Sequence, residues 1–580
     1  MVYLLQCVAS NNYSLRLFRF SGKLTAVLGV FQIDIKSTAN KLLKGDVKGV
    51  AKDVSHQLER TIGLAGVIII SLSAMLGSGL FVLPSLAANM MGEGIWLAYV
   101  LAASVVLPGA LSKSELSSAM PTSGGSYVYI ERTYGPLLGT IAGLGLWASF
   151  LLKAAFALLG LSAYMLVVSI YFNFEIDMQK VALSVLLIVV VINLLGVKKI
   201  KLVQAPIVGL SVLLLVGLTL KAILFNDIDF IGPGKAAFET DPYTLAETAA
   251  FVFVAYAGVT KVAAIAEEIK NPGRNLPGGM LISLLAATIL YASVAYMIMA
   301  TLDGDWWIVD GEIVENPIYI FAHALGGTTL GLVAAILAIF TMASMALAGV
   351  LAASRYLFAM ARDNLLPQAL EDVNAKWETP HWPIILTGLA MMLAILYLPV
   401  SDVAKLASGF QIMIFIVVNT CVIVLRNTSN KNPDYNPSYI SPLYPFVQIW
   451  GIIGGAGLVI IMGEKAFIGA LGAIIIGLIS YYSYGKKHAH PRTTPFQQFR
   501  KEFRNPTDAE HNLREVAFHA ADMGGKGHLT LKEFQVALHA LHFPYDDEEC
   551  RTIFHGIDLD ENGIIDIDKF LAQFECDESD

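Results

Sequence analysis

Charged residues interrupt this chain rarely and at regular intervals. Stretches free of Asp, Glu, Lys and Arg cover 61–92, 94–112, 133–152, 154–174, 181–197, 202–220, 275–302, 316–354, 379–401, 406–425, 435–463 and 466–485. A helix needs about 20 mostly apolar residues to cross a bilayer. No turn signal separates the runs on either side of Lys153, so together they predict one long tilted helix. A further span, about 244–266, is interrupted by Glu247 and Lys261. The pattern predicts twelve membrane helices and an all-α membrane protein.

Composition agrees and adds a division of the chain. The 580 residues are 56% apolar and 15% charged; soluble globular proteins carry about 25% charged residues. One soluble domain and a disordered chain are both excluded. The formal charge of −8 is unevenly spread: residues 1–60 carry +5, the body −5 and residues 486–580 −8. We therefore divide the chain into a cytoplasmic lead (1–60), a membrane domain (61–485), a basic linker (486–507) and a soluble acidic domain (508–580). In the lead, Lys36 to Arg60 has two readings, a basic helix on the inner leaflet or a loosely ordered segment. The N-terminus does not read as a cleavable signal peptide. Lys198, Lys199, Lys201, Lys270, Arg274, Arg355, Arg362, Lys486, Lys487 and Arg492 fall on one side of the twelve-helix layout. Asp227, Asp229, Glu239, Asp241, Asp303, Asp305, Asp310, Glu312 and Glu315 fall on the other. The positive-inside rule then puts both termini in the cytoplasm of a multi-pass plasma (inner) membrane protein. Cys7, Cys421, Cys550 and Cys576 show no metal spacing. No catalytic constellation stands out, so an enzyme is not expected, nor is a nucleic-acid partner. Nothing sets an oligomeric state.

Two spans carry glycine where a helix resists it. The first reads Ser73-Ala74-Met75-Leu76-Gly77-Ser78-Gly79-Leu80-Phe81, and the sixth reads Phe253-Val254-Ala255-Tyr256-Ala257-Gly258-Val259. Each mid-helix glycine costs roughly 1 kcal/mol relative to alanine. A helix that unwinds at mid-membrane is tolerated where its backbone is buried or lines a cavity. The N–H groups of the half-helix after Gly77 suit a carboxylate. The last carbonyls before a break at Gly258 suit an ammonium. One interrupted span in each half points to the binding site of a transporter made of two inverted repeats. The alternative is that the glycines serve only close helix packing.

Four ordered motifs make the chain recognisable. They are Gly77-Ser78-Gly79; Glu115-Leu116 through Pro121-Thr122-Ser123-Gly124-Gly125-Ser126-Tyr127; Ala255-Tyr256-Ala257-Gly258 through Glu267-Glu268-Ile269-Lys270-Asn271-Pro272-Gly273-Arg274; and Ser354-Arg355-Tyr356-Leu357-Phe358-Ala359-Met360-Ala361-Arg362-Asp363. Over residues 60–485 the sequence resembles the amino acid–polyamine–organocation transporter superfamily. That resemblance implies the five-plus-five inverted-repeat (leucine-transporter-type) fold with two peripheral helices. It implies secondary transport of amino acids or related amines by alternating access, with no cofactor. The substrate carboxylate would meet Gly77, Ser78 and Gly79, and its amine the carbonyls near Phe253, Val254, Tyr256 and Gly258. Relatives often place a bulky aromatic gate in span six, where this chain has Val254 beside Phe253. Sodium-coupled relatives use a span-eight hydroxyl, for which Thr341 and Ser344 are available. Some proton-coupled relatives use a span-five lysine, where Ser211 stands here. Na⁺ coupling, H⁺ coupling and exchange all remain open.

Lys153 lies mid-span, where a lysine costs about 2.5–3.5 kcal/mol on insertion scales. It should face the cavity, in place of a coupling cation, or pair with a carboxylate such as Glu115 or Glu247. Lys261, near the end of span six, either serves the same role or snorkels to the interface or to Glu267.

The acidic tail contains two loops of EF-hand spacing. In 558–569, Asp558, Asp560, Asn562 and Asp566 take positions 1, 3, 5 and 9, Ile564 offers its carbonyl at 7, and Gly563 takes the turn. Lys569 stands where the bidentate glutamate belongs. The first loop keeps Asp522, Gly527 and Glu533 but has Gly524 and Lys526 at positions 3 and 5. Leu529 and Ile565 are placed to form the short strand between the loops. The expectation is a small α-helical EF-hand pair in which either Ca²⁺ binds, in the second loop first, or the loops are purely structural. Two functions follow: a transporter whose tail senses calcium, or a non-transporting sensor or scaffold that signals through the tail.

Overall fold

The computed structural model describes residues 60, 62–122, 124–196, 200–225, 228–374, 377, 379–428, 435–489, 494–504, 506–522, 526–541, 545, 547–558 and 563–572. The readings made of residues 1–59, of Asp560 and Asn562, and of the basic residues Lys198 and Lys199 lie outside these.

The protein is mostly helical. Its membrane part runs α1 Leu64–Met75, α2 Ser78–Phe81, α3 Leu83–Met91, α4 Ile95–Ala119, α5 Ser126–Tyr134, α6 Pro136–Tyr171, α7 Met178–Leu194, α8 Ile200–Phe225, α9 Gly232–Glu239, α10 Pro242–Val252 and α11 Pro272–Thr301. It continues with α12 Pro317–Arg362, α13 His381–Tyr397, α14 Val400–Asn427, α15 Phe446–Ile461 and α16 Glu464–Ser480. Among the described residues, seven segments are long and apolar enough to cross a membrane: Leu83–Ala119, Pro136–Tyr171, Gln204–Leu224, Pro242–Ala266, Pro272–Thr301, Pro317–Arg362 and Val400–Asn427. Leu64–Met75, Met178–Leu194, His381–Tyr397 and Phe446–Ile461 are shorter apolar helices. Leu213, Leu285, Ile289 and Ile460 are more than half exposed on helix faces. A bilayer covers such a girdle; water would not favour it.

Local chemistry sets many helix ends. The side chains of Asp177 and Asp241 accept the first free N–H groups of α7 and α10. Asn271 adopts φ 44°, a left-handed conformation that asparagine tolerates, and Pro272 then opens α11. That is the physical content of the Lys-Asn-Pro motif. The backbone of α6 passes through Lys153 without a break. By contrast, α12 is interrupted at Gly326 and Gly327. The most extensive helix packing joins α6 to α12, with α4 on α11 and α6 on α14 next.

Two small sheets add to the all-α expectation. Between α11 and α12, β1 (Ile308–Val309) pairs antiparallel with β2 (Glu312–Ile313) across Asp310-Gly311, both at positive φ. Asp-Gly is the dipeptide that such a tight hairpin requires. In the tail, β3 (His528–Leu529) pairs antiparallel with β4 (Ile565–Asp566), placing Leu529 opposite Ile565. Around that pair, Phe518, Phe534, Phe554 and Phe570 form a separate buried core. The basic linker contains a helix, α17 Pro495–Arg504, followed by α18 Pro506–Ala521, α19 Leu531–Ala540, α20 Asp547–Ile557 and α21 Ile567–Ala572. Phe496 of α17 lies 4.9 Å, ring to ring, from Tyr134 at the end of α5.

Candidate functional site

Both glycine-bearing spans depart from α-helix near their glycines: span one at Leu76–Gly77, as expected, and span six already from Phe253, ahead of the expected Gly258. Helix α1 ends at Met75, Leu76 is extended, and helix resumes at Ser78, with the Leu80 and Phe81 N–H groups bonded to the Gly77 carbonyl. The N–H groups that open such a turn have no acceptor within it. In span six α10 stops at Val252, and 3₁₀ turns cover Phe253–Gly258 and Lys261–Glu268. Ser408 of α14 bridges that change of helix type. Its hydroxyl donates to the Phe251 carbonyl at 2.8 Å and accepts the Val254 N–H at 3.0 Å.

The two breaks touch each other. A methyl group on Gly79 would lie 2.8 Å from Ala255 Cβ. One on Gly258 would lie 2.1 Å from the Ala74 carbonyl oxygen. These glycines therefore permit close packing, Gly79 in the turn that follows the break at Gly77 and Gly258 at the end of the first 3₁₀ turn. Around the contact, Tyr99 donates to the Gly79 carbonyl at 2.9 Å, and Tyr256 donates to the Tyr99 carbonyl at 3.1 Å. Tyr291 packs against both rings, and its hydroxyl is buried without a hydrogen-bond partner. That oxygen is 3.4 Å from the position a Gly79 Cβ would take. The Ser78 hydroxyl meets the Met345 sulfur at 3.8 Å. Phe253 sits edge-on to Phe415, and Val254 is buried beside it.

Lys153 is 4% exposed, and its ammonium donates to the Ala255 carbonyl at 3.3 Å. The partner is thus a backbone carbonyl at the span-six break. Neither carboxylate considered for it is used. Glu115 is fully buried against Arg426, whose Nε donates to Oε1 at 2.8 Å. The Tyr435 hydroxyl and the Ser441 N–H complete that cage at 2.6 and 2.8 Å. Glu247 faces Lys405 at 4.0 Å. Lys261 lies 6.0 Å from the centre of the Phe150 ring; the Glu267 side chain proposed for it lies outside the described side chains.

A second buried lysine escapes the charge-free reading. Lys113 follows the second stretch by one residue, so the sequence suggests a helix end, yet it is fully buried. Its ammonium donates to the Thr260 hydroxyl at 2.9 Å, between the two 3₁₀ turns, and lies 4.2 Å from the centre of the Phe415 ring. Thr341 is bonded to Ser211 at 2.6 Å, joining spans eight and five. Ser344 is buried, and its hydroxyl has no partner.

The motif segments also converge. The Tyr127 hydroxyl donates to Asp363 at 2.7 Å. A methyl on Gly125 would lie 3.3 Å from the Ala264 amide. The second motif therefore touches both the third and the fourth.

The sequence pattern of the family described as amino acid permease matches residues 62–480. The chain belongs to that amino acid permease family. A branched-chain amino acid permease of Bacillus subtilis is 28% identical over 452 residues, 74% of this chain and 94% of the relative. A methylthioribose transporter of the same species is 26% identical over 461 residues, 76% and 96%. A serine/threonine exchanger, also from Bacillus subtilis, is 27% identical over 446 residues, 74% and 98%. The pattern of an EF-hand domain pair matches residues 510–575. The permease is thus a multi-pass membrane protein of a transporter family, extended by an EF-hand pair.

The two EF-hand loops differ in how their acidic side chains are held. Among the described residues, no group of three or more His, Cys, Asp and Glu is arranged to hold a metal. In the second loop Asp558 is buried and accepts the Gly563 N–H at 2.7 Å, and Asp566 accepts that of Lys569 at 2.8 Å. In the first, Asp522 accepts N–H groups from Lys526 and Gly527 at 2.9 and 2.8 Å. Glu533 accepts from the Thr530 N–H and hydroxyl in a capping box, and from the Lys526 ammonium. The Thr530 amide, then Lys526, hold the Glu533 carboxyl down at about 2.

Proposed function

We propose that the permease carries amino acids or related amines across the plasma membrane as a secondary active transporter working by alternating access. The observation that carries this reading is the meeting of the helical turn after the break at Gly77 with the 3₁₀ turn of span six, at Gly79 and Ala255, in a chain of a permease family. In this reading α1 to α3 make the first crossing and α4 the second, and the remaining long apolar segments, the remaining shorter apolar helices and α16 complete twelve. They form two inverted five-helix repeats and two peripheral helices, with both termini cytoplasmic. Amides after Gly77 hold the substrate carboxylate. Carbonyls of Phe253–Gly258 hold its amine, and Val254 and Val259 lend an apolar side-chain pocket. Branched-chain amino acids, the named substrate class of one relative, are the first candidates.

Lys153 supplies the positive charge at the span-six break that a bound coupling cation would otherwise bring. Coupling then runs through this ammonium, and Thr341, tied to Ser211, serves as a structural hydroxyl. Calcium regulation, in this reading, rests on the second loop. Asp558, Asp566 and the Ile564 carbonyl would hold the ion there, together with Asp560 and Asn562 from the sequence. A bound ion would supply positive charge that draws those oxygens together.

A thermal-shift panel on the detergent-solubilised protein tests the substrate class. A ligand that binds only the folded protein at 100 times its Kd stabilises by about 2.7 kcal/mol. We expect shifts from branched-chain amino acids and none from analogues lacking either the carboxylate or the amine. No shift with any amino acid or amine favours the sensor reading.

A further inference from the structure

The first EF-hand loop carries its own cation. In an ordinary loop, calcium draws the oxygens of positions 1, 3, 5 and 12 together, and the bidentate glutamate at position 12 closes it. Here position 12 is Glu533, and both of its carboxylate oxygens are taken by one ammonium. The Nζ of Lys526 lies 3.0 Å from Oε1 and 3.1 Å from Oε2. Lys526 is itself position 5, a metal ligand in a binding loop. The position-1 carboxylate of Asp522 is turned onto the loop's own amides, taking the N–H groups of Lys526 and Gly527. Position 3 is Gly524, which has no side-chain oxygen.

These residues do not fit calcium. A divalent ion entering the loop would meet a fixed positive charge. It would have to displace Lys526 from Glu533, and it would find carboxylates only at positions 1 and 12, the Thr530 hydroxyl at position 9 being already bonded to Glu533. The described residues of the loop are nonetheless held in place. Its strand is paired, Leu529 opposite Ile565, and Glu533 caps helix α19 through Thr530.

We propose that Lys526 is a built-in substitute for the metal, holding the first loop closed without calcium. The tail is then a half-sensor, with one loop permanently set and any calcium response confined to the second. The first loop's role is to present β3 as a fixed edge to β4.

The test uses the full-length protein in detergent and calcium-45 equilibrium binding. Wild type and Glu533→Gln should bind the same number of equivalents, at most one. Two equivalents in the wild type, or an equivalent lost in Glu533→Gln, would overturn the proposal. Hydrogen exchange in chelator gives a second readout. Lys526→Met should speed exchange over residues 526–540 about two- to fivefold, the effect of a partly exposed ion pair. Lys526→Arg, which keeps the charge, should restore wild-type rates. Exchange in Lys526→Met equal to wild type would also overturn it.

Discussion

Replacing Gly258 by alanine is the sharpest perturbation of the contact between the broken spans. The added methyl would stand 2.1 Å from the Ala74 carbonyl oxygen, 2.2 Å from its carbon and 2.7 Å from the Met75 amide. All three are backbone atoms, so no side chain can swing aside. Ordinary carbon–oxygen contacts begin above about 3 Å, so the spans must separate by about 1 Å, and overpacking of this kind costs roughly 1–3 kcal/mol. Gly79→Ala is milder, because its methyl meets Ala255 Cβ at 2.8 Å and Cα at 2.9 Å. Gly209→Ala is the control: its methyl meets nothing within 4 Å, on an exposed face of α8. Alanine there improves helix propensity by up to about 1 kcal/mol. The expected order of melting temperature and of initial uptake in proteoliposomes is Gly209→Ala, Gly79→Ala, Gly258→Ala. Uptake by the last should fall at least about tenfold, because a site displaced by about 1 Å loses its geometry. If Gly258→Ala melts and transports like Gly209→Ala, the close contact is not part of the transport site.

Glu115→Gln should lower thermal stability by about 3 kcal/mol, since it leaves Arg426 without the carboxylate it faces inside the protein; melting in detergent checks this, and an unchanged midpoint would contradict it. Lys153→Met removes a buried charge, so the protein should melt no lower than wild type. Its uptake should lose the dependence on membrane potential or pH that the wild type shows, and unchanged dependence would exclude Lys153 from coupling. Phe496→Ala deletes an aromatic contact worth about 0.5–1.5 kcal/mol. Limited proteolysis of that variant should cut faster within residues 486–507, and equal rates would mean that Phe496 does not hold α17.

The apolar helices and the break at Gly77 were legible because a bilayer imposes simple rules on sequence: few charges, about 20 residues, and glycine where helix gives way. The tail loops were legible because metal geometry sets their spacing, and the pairing of Leu529 with Ile565 follows from it. What joins the spans was not. Ser408 meets Phe251 from 157 positions away, and Arg426 meets Glu115 from 311. No local pattern announces such partners, which is why Glu115 looked available to Lys153. Lys113 was hidden differently. At the edge of a charge-free run a lysine reads as interfacial, and only the fold places it against Thr260 and Phe415. Tyr99 and Tyr291 look like ordinary apolar filling in sequence; the fold places both hydroxyls beside Gly79. Lys526 was visible only as a lost ligand, and its bond to Glu533 gives it a positive role.

The central claim is that the meeting of the two broken spans makes a transport site. Countertransport tests it most directly. Proteoliposomes containing the wild-type protein are loaded with an unlabelled branched-chain amino acid and diluted into a trace of the labelled one. A transporter working by alternating access should accumulate label above the outside concentration, transiently, and Gly258→Ala should abolish that overshoot. If no amino acid or amine in such a panel produces more uptake than protein-free liposomes, the site does not transport, and the account is wrong.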